Sequence, residues 1–421
     1  MNTVKKPELL IPAGSLEVLK TAVIYGADAV YIGGDVFSLR AKAKNFTLDE
    51  MKEGIEFAHE HGVKVHVTAN ILAHNDDLDE AREYFRALKD IGPDALIISD
   101  PGMMTLALEE CPEIDIHVST QANNTNYMSF LFWHKMGAKR VVTARELSLK
   151  EIKDIRAHIP DDMEIESFIH GAMCISYSGR CLLSNYMVGR DANRGECTHP
   201  CRWKYAVVEE KRPGVYLPIE ENERGTYIFN SGDLNMIGHI PEMIDAGIDS
   251  FKIEGRMKTA LYVATVARTY RKAIDDLYES EEKYQSMQGW YDKEIKSCTY
   301  RQFTTAFYFG KPGVESQIYD NNTYSRDSVY LGSVEDIRED GALRLTQKNK
   351  FCVGDEIEIM KPDGRDIKVR VQSIEDENGT FQESAPHSKQ IIFVKITDEN
   401  GNDMSTACDI YDILRVPCNQ E

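Results

Sequence analysis

The sequence has no apolar run approaching the length of a membrane span, which excludes a spanning helix of ordinary length. Its opening, MNTVKKPELLIPAG, lacks the apolar core of a secretory signal. HExxH and GxSxG are both missing, so neither a zinc-dependent nor a serine-elbow hydrolase is indicated. Nor does GxGxxG follow the first strand-like run, where Pro12-Ala13-Gly14 makes a turn without dinucleotide-binding spacing. Positive charge is scarce: 49 Lys and Arg against 69 Asp and Glu leave a formal charge of −20. That argues against bulk electrostatic attraction to RNA, so nucleic acid binding would need a local basic face. The nine cysteines are an odd number without a secreted disulfide framework, which fits a reduced, cytoplasmic protein. The length of 421 residues allows two or three domains with an ample core.

A rhythm organises the first two thirds. Gly26, Gly62, Gly92, Gly137 and Gly247 each end a helical stretch and launch an apolar run, the expected left-handed stop. Thr47 with Glu50, and Ser148 with Glu151, read as capping boxes at helix starts. Strand candidates are Leu9–Gly14, Ala29–Gly34, Lys64–Asn70, Ala95–Asp100, Asp115–Ala122, Arg140–Arg145, Glu164–Gly171, Tyr227–Leu234 and Ser250–Arg256. Strands alternating with helices predict an α/β fold, a TIM-like (β/α) barrel over 1–280. Nine candidates exceed by one the eight such a barrel needs, so one is accessory or wrong. A hairpin around Arg212-Pro213-Gly214 is inserted at 204–226. A long amphipathic helix over Lys258–Tyr278 and a helical linker at 281–298 follow. From 299 to 421 short alternating runs separated by Pro362-Asp363-Gly364 and Glu399-Asn400-Gly401 predict a small all-β barrel domain.

Chemistry concentrates in one stretch. Cys174, Cys181, Cys197 and Cys201 lie just past the seventh strand candidate, with six, fifteen and three residues between successive members. Four thiolates suit an iron–sulfur cluster or a structural zinc. Only Cys197 and Cys201 have knuckle spacing, so the wide first gap favours a four-iron, four-sulfur cluster over zinc or unrelated buried thiols. Around them Arg180, Arg190, Arg194, Arg202 and Lys204 face only Asp191 and Glu196. The excess would balance thiolates or hold an anionic substrate, unless these arginines are simply solvated. A second basic surface is expected over Phe251–Lys272, where six Lys or Arg accompany one Glu.

Active sites of such barrels sit where strands end. That rule collects Arg40 and Asn45 after the second strand, Thr68 to Asn70 after the third, and Ser119, Gln121 and Asn126 after the fifth. It adds His170 from the seventh, and Lys252, Glu254 and Arg256 from the last. Each alone reads as a loop hydrogen-bonder; their joint placement is the signal.

The run Glu166, Phe168, Gly171, Ala172, Met173, Cys174, Gly179, Cys181, Leu183, Ser184 resembles the signature of the collagenase-like peptidases, the family of unknown peptidase type numbered thirty-two. Gly189-Arg190, Asn193-Arg194-Gly195-Glu196-Cys197, Pro200-Cys201-Arg202 and the Lys252-Ile253-Glu254-Gly255-Arg256 ending carry the resemblance further. Asn230-Ser231-Gly232-Asp233-Leu234 follows it too, with Gly232 where lysine is expected. The resemblance implies an oxygen-independent hydroxylase with a 4Fe-4S cluster on the four cysteines. It points to the transfer RNA branch, which makes 5-hydroxyuridine at the wobble position with prephenate as the oxygen source. On that reading Arg40, Arg190, Arg194 and Arg256 are candidates to hold the dicarboxylate, joined by Asn45, Gln121 and Asn126 in the pocket. His170, Glu254 and Lys252 would move protons. The anticodon loop of tRNA would supply an unstacked uridine, with segments 180–204 and 252–272 along its backbone. A paralogous partner protein is also implied as an option; a membrane is not. Two alternatives stand beside this: a protease, as the family name says, and a hydroxylase of a ubiquinone precursor, whose known forms tend to lack the last 120 or so residues.

Overall fold

The computed structural model describes residues 5–38, 45–174, 176–202, 207–208, 216–217, 230–312, 317–318 and 327–418. Its chain divides into two compact units. The first takes Met1–Leu19, Asp28–Met257 and Arg301–Tyr324; the second takes Lys20–Ala27, Lys258–Tyr300 and Ser325–Glu421.

The first unit is built on β1 (Glu8–Pro12), β2 (Ala29–Gly33), β3 (Lys64–Ala69), β4 (Ala95–Ile98), β5 (Asp115–Val118), β6 (Arg140–Val142) and β7 (Glu164–Ala172). Short strands β8 (Val207–Val208) and β9 (Tyr216–Leu217) pair antiparallel, as the inserted hairpin requires, its turn lying outside the described residues. After β10 (Asn230–Ser231) and β11 (Asp233–Asn235) comes β12 (Ser250–Ile253). Every neighbour from β1 to β7 is parallel, and β12 pairs with both β1 and β7, closing an eight-stranded barrel. The accessory candidate is therefore Tyr227–Leu234: β11 at its end runs antiparallel along β7 and takes β13 (Phe303–Thr304) on its other side. Of the alternating runs expected from 299 onward, the first contains only this two-residue β13, which joins the barrel sheet, and β14 (Gln317–Ile318) pairs with β10.

The local signals explain the elements. Gly26, Gly62, Gly92, Gly137 and Gly247 all have φ between 72° and 102°, the left-handed region in which a side chain would be strained. Helices α1 (Leu16–Ile24), α2 (Leu48–Glu60), α3 (Leu78–Ile91), α4 (Pro101–Glu110), α5 (Tyr127–Lys135) and α6 (Leu149–His158) separate the strands, α7 (Leu183–Val188) follows β7, and α8 (Ile240–Asp245) precedes β12. Both expected capping boxes form, on Thr47 for α2 and Ser148 for α6. Among the described residues no helix is long and apolar enough to cross a membrane.

The barrel's amino end and its carboxyl end differ in chemistry. Arg140 opens β6 and donates to Glu8 at 2.5 Å, to Glu164 at 2.7 Å and to Glu166 at 3.0 Å. Charges at this end read as stability, since loops at the other end carry function in barrels of this kind. His66 and His117, edge to face at 4.7 Å, are buried among the strands.

The second unit contains an antiparallel sheet of β15 (Ser328–Ser333), β16 (Asp336–Ile337), β17 (Leu343–Thr346), β18 (Glu356–Met360), β19 (Asp366–Asp376), β20 (Phe381–Gln382), β21 (Ile391–Thr397) and β22 (Ile413–Pro417). Alternate residues such as Leu343, Leu345, Ile392 and Val394 are buried in its core, the period-two pattern that marked it as all-β. With it go α9 (Ala260–Glu279), α10 (Glu281–Ser286) and α11 (Gln288–Ile295), so the helical linker is a pair of short helices. Arg268 of α9 is fully buried between Glu294 at 2.6 Å and Asp366 at 3.0 Å, and Arg415 reaches the same two carboxylates. This corrects the expectation of a basic surface over Phe251–Lys272. Arg268 and Lys252 are buried in ion pairs, while Arg271 and Lys272 pair with Asp275 and Asp276 one turn on.

Candidate active site

A cavity of about 190 Å³ opens at the carboxyl end of the barrel, within the first unit. Thr68 and Asn70 reach it from β3, Ser119, Thr120 and Gln121 from β5, Arg145 from beyond β6, Phe168 and Ala172 from β7, and Lys252, Glu254 and Arg256 from β12. Cys174, Cys181, Cys197 and Cys201 all line the same cavity.

The cysteine stretch is held there by hydrogen bonds to strand ends. Asn123 donates to the Ser178 carbonyl at 2.8 Å and accepts from Arg180 Nε at 2.8 Å. Leu72 N donates to the Asn193 carbonyl at 3.3 Å. Helix α7 (Leu183–Val188) is tied to the later cysteines by Thr198 N, which donates to Ser184 Oγ at 3.0 Å. Cys174 and Cys197 are exposed, Cys181 and Cys201 half-buried, and none of the nine cysteines is in a disulfide. Among the described residues no three His, Cys, Asp or Glu side chains gather tightly enough for a single metal ion. The four sulfurs thus share a cavity wall without forming a mononuclear cage. As a donor set, four accessible thiolates beside a guanidinium fit a thiolate-ligated cluster.

Two glycines make room for the strand ends. A Cβ on Gly33 would stand 2.0 Å from Arg256 Nη1, so a side chain there would push that guanidinium from its place. Gly171 has φ +106°, and its Cβ would lie 2.4 Å from the Glu254 carbonyl oxygen. Arg256 then donates to Thr68 Oγ1 at 3.0 Å.

Lys252 lines the cavity but is committed to the barrel interior. Its Nζ donates to Glu166 at 2.7 Å and lies 4.6 Å from the Tyr31 ring centroid. Burial alone would raise the Glu166 pKa, but the Lys252 and Arg140 charges override it and hold it down to about 2. His66 shows the opposite balance: burial drives it down to about 4, and the nearby Glu8 carboxylate only partly opposes this.

The strand-end rule went astray at three of its residues. His170 does not line the cavity; its ring packs against Phe303 at 5.7 Å. The reason is a bulge: Lys252 pairs with Phe168, both on the cavity side, but the register then skips a residue and sets Ile253 beside His170. Side chains alternate along strands, so the skip turns His170 to the far face. Asn126 caps α5 by accepting from Ser129 N at 3.1 Å, and does not line the cavity either. Asn45 sits before the bridge that joins Phe46 to Gly34, again off the cavity wall. Arg190 is exposed, held by its backbone to the Ser184 carbonyl, and lies off that wall as well. Arg40 and the Arg194 side chain lie outside the described residues. Gln121, Glu254, Arg256 and Lys252 are where the rule placed them.

Arg145 was missed, although it ends a run already read as a strand. Its Nη1 donates to the Ala172 carbonyl at 2.8 Å and its guanidinium carbon lies 4.4 Å above the Phe168 ring centroid. Burial works against its charge, but Cys174 and Glu254 nearby raise its pKa. Applying the strand-end rule to the sixth strand would have found it.

The model described as Peptidase family U32 matches residues 14–318, and that described as Peptidase family U32 C-terminal domain matches residues 326–419. The chain is 42% identical over 393 residues to "tRNA hydroxylation protein P1" of Bacillus subtilis (strain 168), covering 93% of this chain and 92% of that protein. It is 37% identical to "tRNA hydroxylation protein P" of Escherichia coli (strain K12), covering 94% of each. A third relative, "23S rRNA 5-hydroxycytidine C2501 synthase" of the same organism, is 38% identical over 65% of this chain and 40% of its own length. With its barrel and its β domain both matched, the chain belongs to peptidase family U32.

Proposed function

We propose that this protein is a tRNA hydroxylase that converts a wobble uridine to 5-hydroxyuridine without molecular oxygen. The observation that carries the reading is the meeting, in one strand-end cavity, of four cysteines with Gln121, Arg145, Glu254 and Arg256. Near end-to-end similarity to proteins named for tRNA hydroxylation supports the choice of substrate. A peptidase reading has less behind it, since neither HExxH nor GxSxG occurs in the sequence.

Cys174, Cys181, Cys197 and Cys201 would hold a 4Fe-4S cluster, which when bound supplies one-electron chemistry beside the base. Replacing C5–H of uridine by C5–OH is a two-electron oxidation, so the donor that surrenders the oxygen atom must be reduced by two electrons. Prephenate is the proposed donor, and guanidinium groups suit its carboxylates because their planar forks bind such groups in pairs of hydrogen bonds. Glu254 stands on the cavity wall as a group able to accept or return the C5 proton. Lys252, neutralised by Glu166, keeps the pocket floor rigid and charge-balanced. A single-stranded anticodon loop offers its base at low unstacking cost. Arg180, Arg190, Arg194 and Arg202 provide the local positive charge that a chain of −20 otherwise lacks.

The test is reconstitution. Anaerobically purified protein, unmodified tRNA and prephenate are combined, and the nucleosides are analysed by mass spectrometry. The reading requires 5-hydroxyuridine that depends on all three components; its absence with iron-replete protein contradicts the reading.

A further inference from the structure

Three Lys or Arg side chains line the cavity, and their surroundings differ. Lys252 is neutralised by Glu166 at 2.7 Å. Arg256 donates to Thr68 Oγ1 at 3.0 Å. Arg145 has one hydrogen bond, to the Ala172 carbonyl at 2.8 Å, and no ion pair among the described residues. Its Nε is buried without a hydrogen-bond partner. A guanidinium carries five N–H donors in a rigid fork. Burying one donor unbonded costs about 1–3 kcal/mol, and more when the group is charged, so an anion that accepts from this guanidinium would offset that cost.

The orientation is also fixed in advance. The Ala172 carbonyl holds one nitrogen, and the Phe168 ring supports the flat face at 4.4 Å. A pre-positioned cation loses little entropy on binding an anion. We infer that Arg145 is the principal anion-binding residue of the cavity and receives a carboxylate of the oxygen donor. This rests on the reading of the cavity as the site of a dicarboxylate donor. A carboxylate fits the remaining donors better than a single-atom anion, because two oxygens match two N–H groups of the fork.

The same cation could instead serve the thiolate of Cys174, and the experiment separates the two roles. Holoprotein is purified anaerobically as wild type, R145Q and R145K, and three quantities are measured on each: prephenate affinity by equilibrium dialysis, iron and sulfide content, and thermal melting. R145Q removes the charge and the fork but keeps a polar amide; R145K keeps the charge but not the fork. The expected result is wild-type iron and sulfide in both variants with prephenate affinity lowered about tenfold to a hundredfold in R145Q, the size of a lost charge-assisted hydrogen bond. R145K should recover only part of that loss. Unchanged affinity in R145Q would overturn the assignment and leave the dicarboxylate reading standing. Loss of iron along with affinity would assign Arg145 to the cluster and overturn it as well. If wild-type protein with a full cluster does not bind prephenate, the dicarboxylate reading falls, and the assignment with it.

Discussion

Glu166 accepts a 2.7 Å hydrogen bond from Lys252 Nζ inside the barrel, where Glu166 has no exposed surface and Lys252 almost none. The same carboxylate also accepts from Arg140 Nη1 and Ser250 Oγ, each at 3.0 Å. Polar groups of three strands, β6, β7 and β12, are thus joined beneath the cavity, and removing the central anion leaves Lys252 buried without its partner while Arg140 keeps Glu8 and Glu164. We expect Glu166→Gln to destabilise the protein by about 3–5 kcal/mol, the usual size for breaking one side of a buried pair. Denaturant unfolding measures it, and pairing Glu166→Gln with Lys252→Met should recover part of the loss.

Acid stability has several components with the same sign: burial holds both His66 and His117 below the ordinary imidazole value, and Glu166 lies below the ordinary carboxylate value. The His66 pKa is lowered from 6.5 to about 4, so as pH falls through that window the unfolded chain takes a proton that the folded barrel refuses. Stability therefore declines below about 6.5. Glu166, held at about 2, adds stability that is complete above the unfolded carboxylate value and lost as pH falls from about 4.3 through 2. Urea unfolding from pH 8 to 3 should show the decline. His66→Leu should lessen the slope between 6.5 and 4, with buried His117 supplying the remainder, and leave the lower part in place.

Gly171 is where backbone geometry supports the site most directly. An alanine there would carry its Cβ at φ +106° into the Glu254 carbonyl. We expect Gly171→Ala to fold with a melting temperature lowered by several degrees, a shift worth about 1–3 kcal/mol of strain. Because the displaced strand end carries Glu254 and Arg256, turnover should fall by more than tenfold. Melting and single-turnover assays together distinguish this from unfolding.

Much of this was legible in the sequence because its cues are local. Helix-stopping glycines, capping boxes and the polar strand endings that contain Gln121, Glu254 and Arg256 depend on neighbours a few residues away. The errors came from non-local register and pairing. His170 obeyed the strand-end rule until a bulge against Lys252 and Ile253 turned it outward, and no residue in either segment announces that bulge. Arg268 and Lys252 counted as basic surface because their partners, Glu294 and Glu166, lie 26 and 86 residues away. Asn126 looked like a pocket residue and is a helix cap, although the Ser129 amide it binds is only three positions on.

The ligand assignment divides the nine cysteines sharply. Cys174→Ser, Cys181→Ser, Cys197→Ser and Cys201→Ser should each lose iron and acid-labile sulfide, because each removes one thiolate from the set. Cys111 and Cys298 are buried away from the cavity wall, and their serine variants should retain both. Iron and sulfide determination on anaerobically purified variants checks the division.

The central claim is that this cavity hydroxylates tRNA, and the most direct measurement is the 5-hydroxyuridine content of cellular tRNA. Nucleosides are compared from cells that lack the protein, that carry the wild type, and that carry Cys174→Ser. The account predicts 5-hydroxyuridine restored by the wild type and not by Cys174→Ser. Equal levels in all three strains, in a background without a second family member, would contradict it.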